Sequence, residues 1–330
     1  MKHFSDRLIE AIKAKKSVVC VGLDPRLDKI PEFIRKKYFK KLPLKRGVHP
    51  KFPLLAASEA ILEFNKGIID AVADIAVAVK PQIAFYEMFG AEGVNCFIET
   101  IKYAKSKGLL TIADAKRGDI GTTAEAYAKA FLGKVDVGAE FGGAETEIFG
   151  ADSITVVPYF GFDGIKPFIE ECKKNGKGMF ILVKTSNKTA GDLQDLIVEK
   201  ENATAEKSGN AGQPVYKIMA QYVESWGAND IGENGYSCVG AVVGATYPQQ
   251  VVELRKIMPH TIFLVPGYGA QGGTAKDVEG CFNKDGLGAI VNSSREIIFA
   301  YEKSEKGETA YAEISRAAAE KMRMDIAAVL

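Results

Sequence analysis

The sequence has few residues of the kinds that mark secreted, metal-binding or membrane proteins. Its 330 residues include three histidines, one tryptophan and five cysteines. The cysteines are odd in number, widely scattered and never paired as C-x-x-C, so they fit neither a disulfide framework nor a zinc knuckle, and they indicate a reducing, cytoplasmic compartment. No stretch approaches about 20 consecutive apolar residues, which excludes a membrane-spanning helix.

The chain also lacks an excess of charge of either sign. Forty-three Lys and Arg against 42 Asp and Glu leave a net charge of +1, so no global basic field attracts nucleic acid or an anionic membrane. The first residues, "MKHFSDRLIEAIKAKKS", have helical spacing and no apolar core of a signal peptide, which predicts an amphipathic helix. We therefore expect a small-molecule ligand.

Short apolar runs rich in Val and Ile are abundant, and each is followed by a polar, Gly or Pro break and a helical pattern. Eight such runs begin at Val18, Ala76, Leu109, Ile154, Met179, Val239, Ile262 and Gly288. Nearly continuous apolar runs are typical of parallel strands that are covered on both faces. The alternation predicts an α/β fold, a (β/α)8 TIM barrel with an extra N-terminal helix and surface insertions. An open doubly wound sheet is the alternative, because periodicity does not show closure.

We expect residues 1–330 to form one barrel domain with insertions near 34–51, 132–152 and 199–213. The βα pattern resumes in the same style on both sides of each insertion. The first insertion is basic and is expected to be a solvated loop. The other two are rich in Gly, Ala and Glu and are expected to elaborate the surface.

Charged residues follow several of the predicted strands, where the site of such a barrel lies. Asp24 ends the first strand, Lys80 the second, Asp114 and Lys116 the third, and "KTSN" at 184–187 the fifth. On an extended strand, residues two apart point the same way, so Asp114 and Lys116 are expected to face the barrel mouth together.

Four of these groups alternate in sign: Lys80, Asp114, Lys116 and Asp119. Any one of them alone is more simply a solvated charge, but the set is harder to explain that way. Burial alone lowers the pKa of a lysine, whereas flanking carboxylates raise it. We expect Lys116 to be a permanently protonated general acid in a dry pocket, and Asp119 to lie on a turn before the next helix.

Two later segments resemble anion-binding loops. "PGYGAQGG" follows the seventh strand and "NSSREI" follows the eighth, the usual phosphate position in such barrels. Gln271 and Arg295 would add side-chain donors there. A metal is not expected, because the histidines fall in unrelated segments and two lysines among the acids disfavour Mg²⁺. The histidines are His3, His49 and His260.

The motif "ADAKRGDIGTTA", with "VGLDP", "VKTSN", "PGYGAQGG" and "VNSSR" in that order, resembles the orotidine 5′-phosphate decarboxylase family, in particular its longer type 2 group. The resemblance implies a homodimeric, cofactor-free lyase that converts orotidine 5′-phosphate to uridine 5′-phosphate and CO2. Lys116 would protonate C6 of the pyrimidine, Asp114 would lie against the substrate carboxylate, and Lys80 would complete the charge chain and contact the ribose. Asp119 would come from the neighbouring subunit.

The resemblance also implies a substrate-binding set: Asp24, Ile120, Thr123, Ser186, Gln271, Ser294 and Arg295. Within it, Asp24 would bind a ribose hydroxyl, Thr123 would share the crossing loop with Asp119, and Gln271 and Arg295 would hold the phosphate. Ser186 would read the pyrimidine edge, with Thr185 as the alternative. Two other functions stay open: a metal-dependent 3-keto-L-gulonate-phosphate decarboxylase-like barrel, and a barrel that binds a nucleotide without turning it over.

Overall fold

The structure is a computed structural model that describes residues 1–40, 51–199, 212–269 and 272–330. Across these ranges, eight parallel strands form one closed barrel, and each strand pairs with its neighbours in sequence while the last pairs with the first. The strands are β1 (Val19–Leu23), β2 (Ala78–Pro81), β3 (Leu110–Arg117), β4 (Ser153–Val156), β5 (Gly178–Lys184), β6 (Val239–Val243), β7 (Phe263–Val265) and β8 (Ala289–Ser293). The closed sheet confirms the predicted TIM barrel, and the alternative prediction of an open doubly wound sheet is wrong.

The barrel forms because its strands are apolar on both faces. Every residue of β1 and of β6 is buried, as parallel strands between a packed interior and an outer layer of helices require. Each of the eight predicted apolar runs coincides with one strand to within a few residues. Polar side chains are concentrated where the strands end, which is what gives the barrel a polar mouth.

The α-helices of the described ranges lie mostly outside the barrel. They are α1 (Phe4–Lys15), α2 (Glu32–Phe39), α3 (Lys51–Val72), α4 (Ala84–Glu87), α5 (Gly90–Ser106), α6 (Gly121–Leu132), α7 (Phe162–Asn175), α8 (Gly191–Gln194), α9 (Val215–Gly227), α10 (Pro248–Ile257), α11 (Ala275–Glu279), α12 (Arg295–Ile298) and α13 (Tyr311–Ala327). Short 3-10 turns lie at Leu27–Lys29, Ala139–Phe141, Ala300–Lys303 and Glu308–Ala310. None of the described helices is both long and apolar enough to cross a bilayer.

The extra N-terminal helix packs against the N-terminal end of the barrel. The ring of Phe4 meets that of Phe180 edge-on, with 6.0 Å between centroids. A Cβ on Gly178, the first residue of β5, would lie 2.1 Å from the Phe4 ring, so only glycine permits this approach. Arg7 donates to Asp152 at 2.7 Å and links α1 to the segment before β4. This end of the barrel is therefore closed by α1.

The first insertion is not simply a solvated loop. Residues 34–39 belong to α2, where Ile34 is fully buried, and Tyr38 donates to Glu63 of α3 at 2.6 Å. The loop expectation is wrong there because α2 packs on α3, and residues 41–50 lie outside the described residues. The second insertion holds a two-stranded hairpin, Val135–Asp136 with Glu145–Thr146. In the third, 200–211 lie outside the described residues, and Gln213–Pro214 pairs with Ile197–Val198.

Candidate active site

A pocket of about 340 Å³ opens at the C-terminal ends of the barrel strands. Its polar lining comes from several βα units and includes Asp24, Lys80, Asp114, Lys116, Ser294 and Arg295. Its apolar lining includes Leu182, Val242, Leu264 and Pro266. The pocket therefore offers a group of charged side chains and an apolar wall on which a flat ring can lie.

The centre of the pocket is the carboxylate of Asp114, which binds three partners. Its Oδ2 accepts from Lys80 Nζ at 2.7 Å, and its Oδ1 accepts from Lys116 Nζ at 2.5 Å. The hydroxyl of Thr155 on β4 donates to the same Oδ1 at 2.9 Å. Charge-assisted bonds of this kind are the strongest hydrogen bonds that side chains form. The structure thus brings Lys80, Asp114 and Lys116 into one array.

The array keeps two of its members ionised. Burial alone would lower the pKa of Lys80, but the negative charges of Asp114 and Asp24 hold it above its ordinary 10.5. Burial alone would raise the pKa of Asp114, but Lys80 and Lys116 hold it below its ordinary 3.8. The stability that the Asp114 charge contributes is lost only as the pH falls below 3.8. The stability that the Lys80 charge contributes is lost only as the pH rises above 10.5. Around neutral pH this pair does not titrate.

Lys116 differs from expectation in two ways. Its side chain is 44% exposed, so the described residues of one chain do not by themselves form the dry surroundings expected for it. Its backbone is also left-handed, with φ of 47°, in a strand whose pairing with β4 shifts between Ala113 and Arg117. Simple alternation along an extended strand therefore does not explain why it meets Asp114. The backbone N–H of Lys116 donates to Thr155 Oγ1 at 3.0 Å, which helps to hold this strained conformation.

Two acceptors in the pocket have no hydrogen-bond partner among the described residues. They are Oδ1 of Asp24, directly after β1, and Oδ1 of Asn292, on β8. Buried polar atoms are rarely left unsatisfied, and where they are, a ligand is a common reason. Both residues line the pocket, which makes these two oxygens candidates to accept from hydroxyl groups of a ligand.

The hydroxyls after β5 are not equivalent. Thr185 Oγ1 donates to Asn187 at 2.7 Å and accepts from Gln194 Nε2 at 2.7 Å. The Ser186 side chain makes no hydrogen bond to the described residues, although it lines the same pocket. Ser186 is therefore the hydroxyl that is available to a ligand.

Three members of the expected set, Asp119, Ile120 and Thr123, stand apart from this array. Asp119 Oδ1 accepts from the N–H of Ile120 at 2.8 Å, on the turn between β3 and α6. Ile120 is 54% exposed, and Thr123 is exposed on the first turn of α6. These three are absent from the pocket lining that the described residues form. Gln271 lies outside the described residues.

The sequence did not predict several of the residues that line the pocket. Thr155 and Asn292 are the clearest, and Gln82 and Tyr268 also line the wall. Thr155 is the one polar residue inside the fourth apolar run, and Asn292 stands in the quoted motif "VNSSR". A polar residue within an otherwise apolar barrel strand was the available signal, since half of such positions face the barrel interior.

Comparison with known proteins identifies the family. The sequence profile of the orotidine 5′-phosphate decarboxylase / HUMPS family matches residues 17–310, which include all eight barrel strands and the pocket. The chain belongs to this family. A Rhodopirellula baltica protein named orotidine 5′-phosphate decarboxylase is 44% identical over 305 residues, covering 92% of this chain and 91% of that one.

Two further proteins give the same result for this decarboxylase family member. A Clostridium kluyveri protein of the same name is 41% identical over 321 residues, with 97% of this chain and 96% of that chain covered. The solved OMP decarboxylase of Leishmania donovani matches with a TM-score of 0.67 and 30% identity, over 99% of this chain and 98% of that one. Sequence and fold therefore agree on the decarboxylase family.

The Thr155 hydroxyl should matter for activity although it carries no charge. Replacing it by valine (Thr155→Val) removes one bond to Asp114 and one to the strained Lys116 backbone. Losing a bond to a buried charge is worth about 1.5–3 kcal/mol, so kcat/KM for decarboxylation should fall about 10–100-fold. Thr155→Ser, which keeps the hydroxyl, should retain most of the activity. Equal activity in the valine variant and the wild type would show that Thr155 does not order the array.

Proposed function

We propose that this chain catalyses the decarboxylation of orotidine 5′-phosphate to uridine 5′-phosphate and CO2, the last step of UMP synthesis de novo. The observation that carries the proposal is the array in which Asp114 bridges Lys80 and Lys116 at a pocket with an apolar wall. Family membership supplies the substrate. We place the enzyme in the cytoplasm, in keeping with its five free cysteines.

Lys116 is the proposed proton donor. The C6–carboxylate bond breaks, its electron pair stays on C6, CO2 leaves, and Lys116 Nζ delivers a proton to C6. The resulting amine regains its proton from solvent, so the atoms and charges balance without any external oxidant or reductant. A carbanion with no adjacent electron sink faces a large barrier, and enzymes lower barriers by about 8–23 kcal/mol. An ammonium fixed by Asp114 before the reaction supplies part of this as electrostatic preorganisation.

The remaining pocket residues bind the rest of the nucleotide. Asp24, with its free Oδ1, accepts from a ribose hydroxyl, and Lys80 lies within reach of the same sugar. Ser186 reads the pyrimidine edge, because the Thr185 hydroxyl is already bonded on both sides. Gln271, Ser294 and Arg295 form the proposed phosphate end. Binding energy from the phosphate, which is remote from C6, can then be used to stabilise the transition state.

A homodimer with shared sites accounts for Asp119, Ile120 and Thr123. Apolar side chains surround this turn in the single chain: Ile120 is 54% exposed, Tyr159 81% and Phe160 50%. The turn packs on the start of α7, where a Cβ on Gly164 would lie 2.8 Å from the Asp119 carbonyl. Contiguous exposed apolar surface of this kind is typical of an interface. A second chain seated there would add Asp119 to its partner's array and remove water from Lys116.

The first alternative is that the chain is a metal-dependent 3-keto-L-gulonate-phosphate decarboxylase-like barrel. That enzyme places an acid at the end of its second strand, where this chain has Lys80 bonded to Asp114. A nucleotide-binding barrel without activity would be expected to have lost one of the charges. One assay distinguishes the proposed reaction from both alternatives.

Purified enzyme should convert orotidine 5′-phosphate at the same rate with and without EDTA, followed by the ultraviolet absorbance of the substrate. Lys116→Ala should lower kcat by about 10²–10⁴-fold or more, the usual share of a general acid. Lys102→Ala, an exposed lysine paired with Glu99, is the matched control and should be fully active. Unchanged absorbance would refute the function, and rapid loss of activity with EDTA would favour the metal-dependent reaction.

The shared site can be tested by co-expressing two inactive variants. Lys116→Ala and Asp119→Ala chains should form heterodimers with one intact site, and about one quarter of all sites should then be functional in a two-fold symmetric dimer. Lys116→Ala with Lys80→Ala is the control and should recover nothing, because both residues belong to the same chain's pocket. Recovery in neither mixture would contradict the shared site.

The two hydroxyls after β5 make a matched pair. Ser186→Ala should lower kcat/KM about 10-fold or more by removing a bond to the pyrimidine, mainly through KM. Thr185→Val should have a smaller effect on kcat/KM and a larger one on thermal stability, since it leaves Gln194 Nε2 and Asn187 Oδ1 without the Thr185 hydroxyl. The reverse order in kcat/KM would assign the pyrimidine contact to Thr185.

A further inference from the structure

A second cluster of reactive side chains lies at the opposite, N-terminal end of the barrel. His3 precedes α1, Asp230 follows α9, and Cys238 precedes β6, so distant parts of the chain meet there. One ligand atom from each of the three lies within 4.8 Å of the others. His3 Nε2 is 3.5 Å from Asp230 Oδ2, and Cys238 Sγ is 2.7 Å from the same oxygen. The proposed decarboxylation does not use any of these groups.

The cluster is largely shielded from water. Cys238 is 1% exposed, and the side chains of His3 and Asp230 are each 19% exposed. The Nε2 atom of His3 is itself buried, and it has no hydrogen-bond partner among the described residues. The Asp230 carboxylate, at 3.5 Å, is at the limit of hydrogen-bond distance, and a cation bound between the two groups would satisfy the nitrogen more fully.

The other side of the His3 ring is fixed in the way that metal-binding histidines are. His3 Nδ1 lies 2.7 Å from Ser5 Oγ, and Ser5 Oγ donates its proton to the Tyr236 carbonyl at 2.7 Å. The backbone N–H of Ser5 also donates to Nδ1, at 3.3 Å. The Nδ1 side of the ring is therefore held by Ser5, and the Nε2 side faces Asp230 and Cys238.

A further thiol stands beside the cluster. Cys172, on the last turn of α7, is 1% exposed and lies close to the Cys238 thiol without joining the three ligand atoms of the cluster. Lys173 is the nearby cation whose charge acts on Asp230. One thiol, one imidazole and one carboxylate make a ligand set that favours Zn²⁺ over Mg²⁺ or Ca²⁺.

The distances are close to those of a tetrahedral zinc centre. With Zn–S of about 2.3 Å and Zn–N or Zn–O of about 2.0–2.2 Å, neighbouring ligand atoms lie about 3.4–3.8 Å apart. The 3.5 Å between His3 and Asp230 fits directly. The 2.7 Å between Cys238 and Asp230 has to widen, by about an ångström. A side-chain rotation of the carboxylate is enough for that.

We propose that His3, Asp230 and Cys238 bind one Zn²⁺ ion. The ion would tie the start of α1 to the segment between α9 and β6. Its role is structural: it would hold α1 over the N-terminal end of the barrel, away from the catalytic pocket. The sequence argued against a metal, because its histidines lie in unrelated segments and only the fold brings His3 to the cysteines.

Direct binding to untagged, full-length protein tests the proposal. Reduced protein is stripped with EDTA, freed of EDTA, and titrated with ZnCl2 by equilibrium dialysis with metal analysis. One Zn²⁺ per chain and a rise in Tm are expected for the wild type. His3→Gln should bind about tenfold or more weakly. His260→Gln, an exposed histidine paired with Glu224, is the matched control and should bind like the wild type.

Cobalt identifies the sulfur ligand independently. The Co²⁺-loaded protein should show a near-ultraviolet thiolate charge-transfer band that Cys238→Ser weakens and that the His260→Gln control keeps. Absence of bound Zn²⁺, equal binding by His3→Gln and the wild type, or a Co²⁺ spectrum without a thiolate band would each overturn the proposal. Decarboxylase activity has no part in these readouts, so the metal site and the proposed reaction fail or stand separately.

Discussion

The pocket depends on one buried carboxylate held between two ammonium groups. Asp114 neutralises Lys80, which is only 5% exposed, and it fixes the end of Lys116. Removing one partner of a buried ion pair typically costs about 3–5 kcal/mol, because the other charge is left uncompensated. Stability and reactivity are therefore linked at Asp114. Without Asp114, Lys116 would lose its orientation, and the buried charge of Lys80 would be left uncompensated.

The position of Lys116 combines two constraints that a regular strand does not satisfy. Its left-handed backbone is unfavourable for a residue with a Cβ, and β3 breaks register with β4 at this point. Thr155 offsets this by accepting from the Lys116 N–H and donating to Asp114. In this conformation the Lys116 ammonium lies beside the Asp114 carboxylate. Strained residues of this kind are held by their surroundings and tend to cluster at functional sites.

The sequence was a good guide where one physical rule decides the outcome. Apolar runs predicted all eight strands, and charges after those runs predicted where Lys80, Asp114 and Lys116 would meet. It failed where the outcome depends on contacts between distant segments. Ile34 is buried because α2 packs on α3, although the composition of this stretch is that of a solvated loop. The φ of Lys116 and the meeting of His3 with Cys238 have no local signal at all.

The closed parallel barrel explains how groups so far apart in sequence can act together. Asp24, Lys80, Asp114 and Ser186 each come from a different βα unit, and bringing four distant segments together in a flexible chain would carry a large entropic cost. Burial of apolar strands meets that cost during folding, before any ligand arrives. The polar groups then need little reorganisation when charge develops, which is the condition under which electrostatic stabilisation is most effective. The apolar strands, which touch no reacting atom, are in this sense what makes the charged array chemically useful.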